Sequence, residues 1–304
     1  LNGFLVVDKP SGLTSHDVVV KVRRLFKEKK VGHCGTLDPM ATGVLVLGLG
    51  KGTKLSRFLC LDPKVYLGEI TLGVTTDTLD ATGRVVKECP VEVSEDKIKE
   101  TLKKFEGEIT QIPPMTSAIK VNGVPLYVLA RRGIEVERPP RQVRIDKIDF
   151  LSWEKPVVKF KVVCGKGTYV RTIAADFGEK LGCGAHLSAL RRLSSGEFSI
   201  ENAWHLQELK DLKEKGKLEE ALILLSQGLA HYPQVVVKNK LAYRVKNGNP
   251  LTLGMIKERP YPLKNGTYIR LVNEEGDFIA LARWSGEEAQ VYRQVVAPLE
   301  VVIS

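Results

Sequence analysis

Apolar positions along the chain alternate between the two periods that mark strands and helices. Short apolar runs predict strands at Phe4 to Val7, Val44 to Leu49, Lys64 to Leu72, Ile145 to Leu151 and Val157 to Val163. Helical spacing appears in Val18, Val19, Val22, Leu25 and Phe26, after a capping-box pattern at Thr14-Ser15-His16-Asp17. It returns in Leu55, Phe58 and Leu59, opened by Gly50 to Lys54. Ser94 is an N-cap for Ile98, Leu102 and Phe105. Tyr127 to Arg132 reads as a short helix stopped by Gly133. Tyr169 to Leu181 reads as an amphipathic helix stopped by Gly182. A further helix is expected over Leu218 to Gln227.

The pattern changes from Tyr232 onward. After a helix at Lys238 to Lys246, short strand-like segments follow at Thr267 to Val272, Phe278 to Trp284 and Val291 to Val296, punctuated by glycines such as Gly276 and Gly286. Asn247-Gly248-Asn249-Pro250 is a strong turn signal. The expected organisation is two domains, residues 1–230 and 231–304, with the boundary near 228 to 233.

Composition narrows the function classes. Lys and Arg number 46 against 36 Asp and Glu, a formal charge of +10 that favours a polyanionic partner. Within Lys120 to Lys147 seven basic residues face three acidic ones, and Pro139-Pro140 predicts irregular, mobile chain there. The five cysteines include no CxxC pair, which argues against a disulfide framework or zinc knuckle and for a reducing compartment, the cytoplasm. No apolar stretch is long enough to span a membrane, and Leu1 to Lys9 reads as a strand rather than a signal peptide. His16, His186, His205 and His231 form no H-E-x-x-H pattern. Gly48 to Thr53 lacks the spacing of a phosphate loop.

Asp38 is the candidate with chemistry in it. It lies between Leu37 and Pro39 in Gly35-Thr36-Leu37-Asp38-Pro39-Met40-Ala41-Thr42-Gly43, where glycine and proline restrict the backbone around a carboxylate. By itself an Asp-Pro turn is a common structural device, and that reading leads until the other motifs are counted. The surrounding motifs decide the reading. Asp8-Lys9-Pro10-Ser11-Gly12, the Asp38 segment, Thr75 to Gly83, Gln111 to Lys120, Tyr127 to Gly133, Lys166 to Arg171 and Leu190-Arg191-Arg192 occur in that order. Together they resemble the TruB-type pseudouridine synthase family, bacterial enzymes that act on uridine 55 in the T arm of tRNA. The tail resembles, less sharply, the small β-barrel RNA-binding module called PUA.

That resemblance implies an α+β fold: a catalytic domain with a mixed, largely antiparallel sheet, followed by a small β-barrel-like domain. It implies Asp38 as nucleophile, Tyr66 stacked on the target base and one candidate for the C5 proton acceptor, whose identity the sequence leaves open, and Arg171 paired with Asp38 so as to keep it ionised. Tyr169 lines the pocket, Leu190 packs on the base, His33 helps hold the extruded nucleotide, and Lys9 belongs to the surround. Lys120, Arg131, Arg132 and Arg141 grip RNA from the 120–147 insertion, and the tail contacts the acceptor side of tRNA. Attack at C6 of the base or at C1′ of the ribose remain equal alternatives. No cofactor, metal or membrane is implied, and a monomer is expected.

Overall fold

A computed structural model describes residues 1–117, 119–247, 249, 251–260, 262–284 and 295–300. Strand β1 (Gly3–Lys9) leads into α1 (Ser15–Phe26). The Thr14 hydroxyl accepts from the Asp17 N–H at 3.0 Å while the Asp17 carboxylate accepts from the Thr14 N–H at 2.8 Å, the reciprocal box expected from sequence. β2 (Val31–His33), β3 (Thr42–Leu49), the single turn α2 (Gly52–Leu55) and β4 (Lys64–Leu72) follow. A hairpin, β5 (Val74–Thr76) and β6 (Val85–Glu88), precedes α3 (Glu95–Lys103) and β7 (Gly107–Gln111). The small hairpin β8 (Lys120–Val121) and β9 (Val124–Pro125) runs into α4 (Leu126–Arg131). Then come β10 (Arg141–Glu154), β11 (Val157–Cys164), α5 (Val170–Leu181), β12 (Ala185–Ser195) and β13 (Phe198–Ser199).

These strands form one sheet in the order β1-β3-β12-β4-β11-β10-β7, with β2 beside β3 and β13 beside β12. Neighbours are antiparallel except β3 and β12, which run parallel at Thr42–Arg191 and Gly43–Arg192. The expected mixed, largely antiparallel sheet is therefore present. β1 and β3 are buried on both faces, which explains their unbroken apolar sequence. One face joins α1, α3 and α5 in the main core; the other packs Phe4, Val6, Val44 and Val46 against Leu225, Leu229, Phe278 and Leu281.

One strand carries no sequence period that marks it, and one expected helix is interrupted. Leu187, Leu190 and Leu193 are spaced by three, yet they lie on the central strand β12. Irregularities between Leu187 and Ala189 and between Arg192 and Ser194 reset the alternation and hide the strand period. The helix expected over Leu218 to Gln227 is interrupted. After α6 (Leu206–Glu214) only a 3-10 turn at Leu218–Ala221 and the single turn α7 (Leu225–Gly228) form. Between them Ile223 and Phe4 exchange two backbone hydrogen bonds of 2.8 Å, so pairing with β1 overrides local helix propensity.

The C-terminal part holds β14 (Gln234–Val237), α8 (Asn239–Lys246), β15 (Leu251–Thr252), β16 (Ile256–Glu258), β17 (Tyr268–Val272), β18 (Phe278–Arg283) and β19 (Val295–Glu300). Their sheet runs β15-β19-β18-β17-β14-β16. This corrects the expected β-barrel: among the described residues the two edge strands do not pair, so the sheet is open. The edges are two and three residues long, too short to supply the continuous register that closure requires. Of the Asn247 to Pro250 turn, Gly248 and Pro250 lie outside the described residues, as do Gly286 and residues 291–294 of the expected last strand. Among the described residues no helix is long and apolar enough to cross a membrane.

The parallel contact between β3 and β12 depends on Gly43. Its φ is +99°, and a Cβ there would sit 2.2 Å from the Arg192 carbonyl oxygen. Gly216 has φ +69° but open space around it. Gly216→Ala should cost about 1 kcal/mol for the left-handed backbone alone, and Gly43→Ala about 3 kcal/mol or more. Urea unfolding of both variants checks the difference; equal losses would mean the strands separate without cost.

Candidate active site

The chain from Gly35 to Met40 is irregular, yet each of its carbonyls has a donor. Arg192 Nη2 and Nη1 reach Gly35 O at 3.2 Å and Thr36 O at 3.4 Å. The Ser15 hydroxyl donates to Leu37 O at 3.0 Å and accepts from Leu37 N at 2.8 Å. Ala41 N donates to Asp38 O at 3.0 Å, Gly12 N to Pro39 O at 2.8 Å, and Ser11 Oγ to Met40 O at 3.3 Å. A loop without ladder partners is thus held as firmly as secondary structure. Lys9 supplies a second bond to Pro39 O at 3.2 Å and also donates to Pro10 O at 2.9 Å and Leu13 O at 2.6 Å, using all three ammonium protons. Its side chain is fully buried, and burial pushes its pKa down to about 8, with Asp38 opposing.

The Asp38 carboxylate projects from this loop into a side-on fork. Arg171 Nε lies 2.9 Å from Oδ2 and Nη2 lies 3.2 Å from Oδ1. Such bidentate pairing fixes orientation as well as distance. Arg171 comes from the first turn of α5, whose start is set by Gln111. The buried Gln111 side chain accepts from Tyr169 N at 3.0 Å and donates to Tyr169 O at 3.2 Å. Gly178 lets α5 lie directly on the chain at Ala185, where a Cβ would meet backbone at 2.2 Å.

A second carboxylate completes the arrangement. Arg171 Nη1 lies 3.5 Å from Asp80 Oδ2, 3.4 Å from Thr78 O and 2.6 Å from Thr116 Oγ1. The other Asp80 oxygen accepts from Thr78 Oγ1, Thr82 N and Thr82 Oγ1 at 2.6 to 2.9 Å. Asp77 turns away to Arg84, at 2.8 and 3.2 Å. Asp38 and Asp80 therefore face a guanidinium, and Asp77 does not join them as a third carboxylate. Among the described residues no group of three or more His, Cys, Asp or Glu could hold a metal ion.

The Asp38 side chain keeps 31% of its surface accessible, whereas Arg171 and Asp80 keep 5% and 4%. Asp38 is thus the exposed end of a buried network. Burial raises its pKa; Arg171 pulls it back down but does not outweigh desolvation, and Asp80 adds to the rise. Sequence reasoning assigned the arginine the larger effect. Tyr66, on β4, is buried, and its phenol is pushed up, first by desolvation. The nearby Arg192 charge opposes the rise.

The remaining predicted residues fall into two groups. Leu190, buried on β12, and the half-buried Tyr169 stand on elements flanking the fork. His33, at the end of β2, is open to solvent on one side. Packing on the other side, with Arg192 and His16 nearby, lowers its pKa, so the ring is neutral at pH 7. Lys120, Arg131, Arg132 and Arg141 are all exposed, and none is bonded to Asp38, Arg171 or Asp80. Arg131 lies over the Tyr127 ring at 5.6 Å, and Arg141 opens β10 opposite Gln111. Irregular chain covers only residues 133–140; from Arg141 the basic segment is regular strand. Asp80, Arg192 and Gln111 carry weight that sequence reading missed. Each lay inside a noted motif, but nothing local shows that its partner is remote in the chain.

Between about pH 8 and 10.5 the folded protein binds fewer protons at Lys9 than the unfolded chain does. Stability from this linkage is complete above 10.5 and is lost as pH falls through 8. Urea unfolding between about pH 7.5 and 10.5 should show wild type gaining ~3 kcal/mol relative to Lys9→Met. Parallel profiles would mean that Lys9 keeps an ordinary pKa.

Comparison with known proteins gives one answer over the first three quarters of the chain. Residues 23–170 match the model of the TruB family pseudouridylate synthase (N terminal domain), and residues 171–229 match the tRNA pseudouridylate synthase B C-terminal domain. The chain is 43% identical to tRNA pseudouridine synthase B of Syntrophotalea carbinolica over 96% of this chain and 95% of that protein. It is 47% identical to the Geobacter sulfurreducens protein of the same name, over 82% and 83%. Among solved structures, an H/ACA RNP bound to a substrate RNA containing 2′-deoxyuridine superposes with a TM-score of 0.75 and 27% identity, covering 99% of this chain and 85% of that one. A PUA domain protein from Thermoplasma acidophilum aligns over 23% of the chain with a TM-score of 0.22, too low to assign the C-terminal sheet to that module. On the evidence of residues 23–229 and of relatives matched nearly end to end, the chain belongs to the TruB family of pseudouridylate synthases.

Proposed function

We infer that this protein isomerises uridine 55 in the T arm of tRNA to pseudouridine, with Asp38 as the reacting carboxylate. The observation that carries the residue assignment is the Arg171 fork, which presents Asp38 as the accessible end of an otherwise buried network. The N-glycosidic bond of the uridine breaks, the uracil turns, C5 bonds to C1′, the C5 proton leaves and N1 is protonated. The atoms balance without a cosubstrate. A carboxylate locked by two parallel hydrogen bonds is positioned for attack before substrate arrives, and attack at C6 or at C1′ is served alike. Tyr66 offers a neutral ring. Because burial raises its pKa, the phenolate that would accept the C5 proton is scarce, which favours holding the uracil flat over taking the proton. Leu190 and Tyr169 wall the pocket, and neutral His33 accepts a hydrogen bond at its rim.

The target base must leave its stack, at a cost of a few kcal/mol. Phosphate contacts from Lys120, Arg131, Arg132 and Arg141 offset that cost. Residues 1–230 are the catalytic unit on this reading. Residues 231–304 meet the acceptor side, where α8 exposes Lys240, Tyr243 and Arg244 on one helix.

Unmodified tRNA incubated with wild type should acquire pseudouridine at position 55, mapped by carbodiimide treatment and primer extension. Asp38→Asn should lower the single-turnover rate by at least about a thousandfold; equal product from both proteins removes Asp38 from the role. Because burial raises the Asp38 pKa, the wild-type rate should fall on the acid side with a midpoint above the ordinary value of about 3.9. A rate that stays flat down to about pH 4 contradicts this assignment.

A further inference from the structure

The Arg171 fork is fastened from outside as well as from Asp38 and Asp80, and the outside fastener is the start of the basic insertion. Of the acceptors around Arg171 Nη1, Thr116 Oγ1 at 2.6 Å is nearer than Thr78 O at 3.4 Å or Asp80 Oδ2 at 3.5 Å. The Thr116 carbonyl also accepts from Nη2 at 3.4 Å, the same nitrogen that holds Asp38 Oδ1. One residue thus touches both terminal nitrogens of the guanidinium.

Thr116 is also next to a residue bonded to the helix α4. Ser117 O accepts from Tyr127 N at 3.0 Å, and Ile119 O accepts from Leu126 N at 2.7 Å. These bonds tie the root of the insertion to the first turn of α4, the element that ends in Arg131 and Arg132. Leu126 is buried while Tyr127 and Ile134 expose large apolar surface. A load on the face of α4 therefore passes through the Tyr127–Ser117 backbone hydrogen bond and one peptide unit to Thr116, and from its hydroxyl to Arg171.

The seam between the insertion and α5 is incompletely bonded. Ser117 Oγ and Thr172 Oγ1, each the residue after a member of the Thr116–Arg171 pair, are buried without a hydrogen-bond partner. Leaving a buried hydroxyl without a partner is costly. The short Thr116–Arg171 bond is the fixed point in that seam.

We propose that Thr116 is a positioning residue: its hydroxyl sets the Arg171 guanidinium against Asp38, so that RNA seated on the 120–132 face is coupled to the geometry of the reacting carboxylate. This rests on the functional reading above. The side chain acts through Arg171 and not on the base. Its loss should therefore slow the chemical step while leaving the grip on RNA nearly intact.

The test compares wild type, Thr116→Val and Thr116→Ser with T-arm transcript, measuring single-turnover pseudouridine formation, transcript Kd by filter binding, and the rate across acid pH. Thr116→Val keeps the shape and removes the hydroxyl. It should slow the reaction about tenfold to a hundredfold, the range expected for one hydrogen bond to a charged group. Its Kd should stay within about threefold of wild type, and its acid limb should move up as Arg171 holds Asp38 less well. Thr116→Ser should recover the rate and the acid limb. Three results overturn the proposal: Thr116→Val as fast as wild type, Thr116→Ser as slow as Thr116→Val, or a loss confined to Kd. If wild type itself forms no pseudouridine at position 55, the functional reading fails first and the proposal falls with it.

Discussion

The Arg171 guanidinium is the knot of this structure. It binds Asp38 from the loop before β3, Asp80 and Thr78 from the β5–β6 hairpin, and Thr116 from the root of the insertion, while standing on α5 itself. Asp38, Thr78, Asp80 and Thr116 lie 133, 93, 91 and 55 residues away in the chain. A guanidinium suits this duty because its planar fork reaches several acceptors at once and does not deprotonate. Two carboxylates share it, so the cluster holds one negative charge too many, and Lys9 and Arg192 lie close enough to lower the Asp38 pKa. Removing Arg171 would leave the buried Asp80 carboxylate without its cation, a far larger penalty than losing a surface ion pair.

The Asp38 loop meets the same constraint in neutral form. It has no strand partner from Gly35 to Met40, and its carbonyls are met one at a time by Arg192, Ser15, Ala41, Gly12, Lys9 and Ser11. Apart from Ala41, which lies within the loop, these donors come from Lys9 to Ser15 and from β12. That explains why the motifs around Lys9 and around Arg191-Arg192 accompany the Asp38 motif. Arg191 anchors the other end of the same unit through a two-toothed pair with Asp8, at 2.7 and 3.1 Å. The motifs are several sides of one hydrogen-bonded object rather than separate sites.

Local signals and tertiary context divide cleanly along the chain. The caps of α1 and α3 and the glycine stop of α5 are short-range chemistry, and all three helices form where their sequences place them. β12 was hidden because its irregularities shift apolar residues to a spacing of three, and the helix expected over Leu218 to Gln227 was lost to pairing between Ile223 and β1. The barrel expected at the C-terminus followed from a string of short strands. Strand length and order alone cannot tell an open sheet from a closed one, because closure depends on whether the two edges meet in register.

By itself the sequence determined the ordered family motifs, and it offered Asp38 and its pairing with Arg171 only as what the resemblance to that family implies. Only the tertiary structure decided how the carboxylate is held and how it titrates. The second acceptor at Asp80, the hydroxyl at Thr116 and the carbonyl clamp from Arg192 join residues far apart in the chain. The rise in the Asp38 pKa is a matter of burial, which arises when the elements pack together and has no local signature in the order of the amino acids.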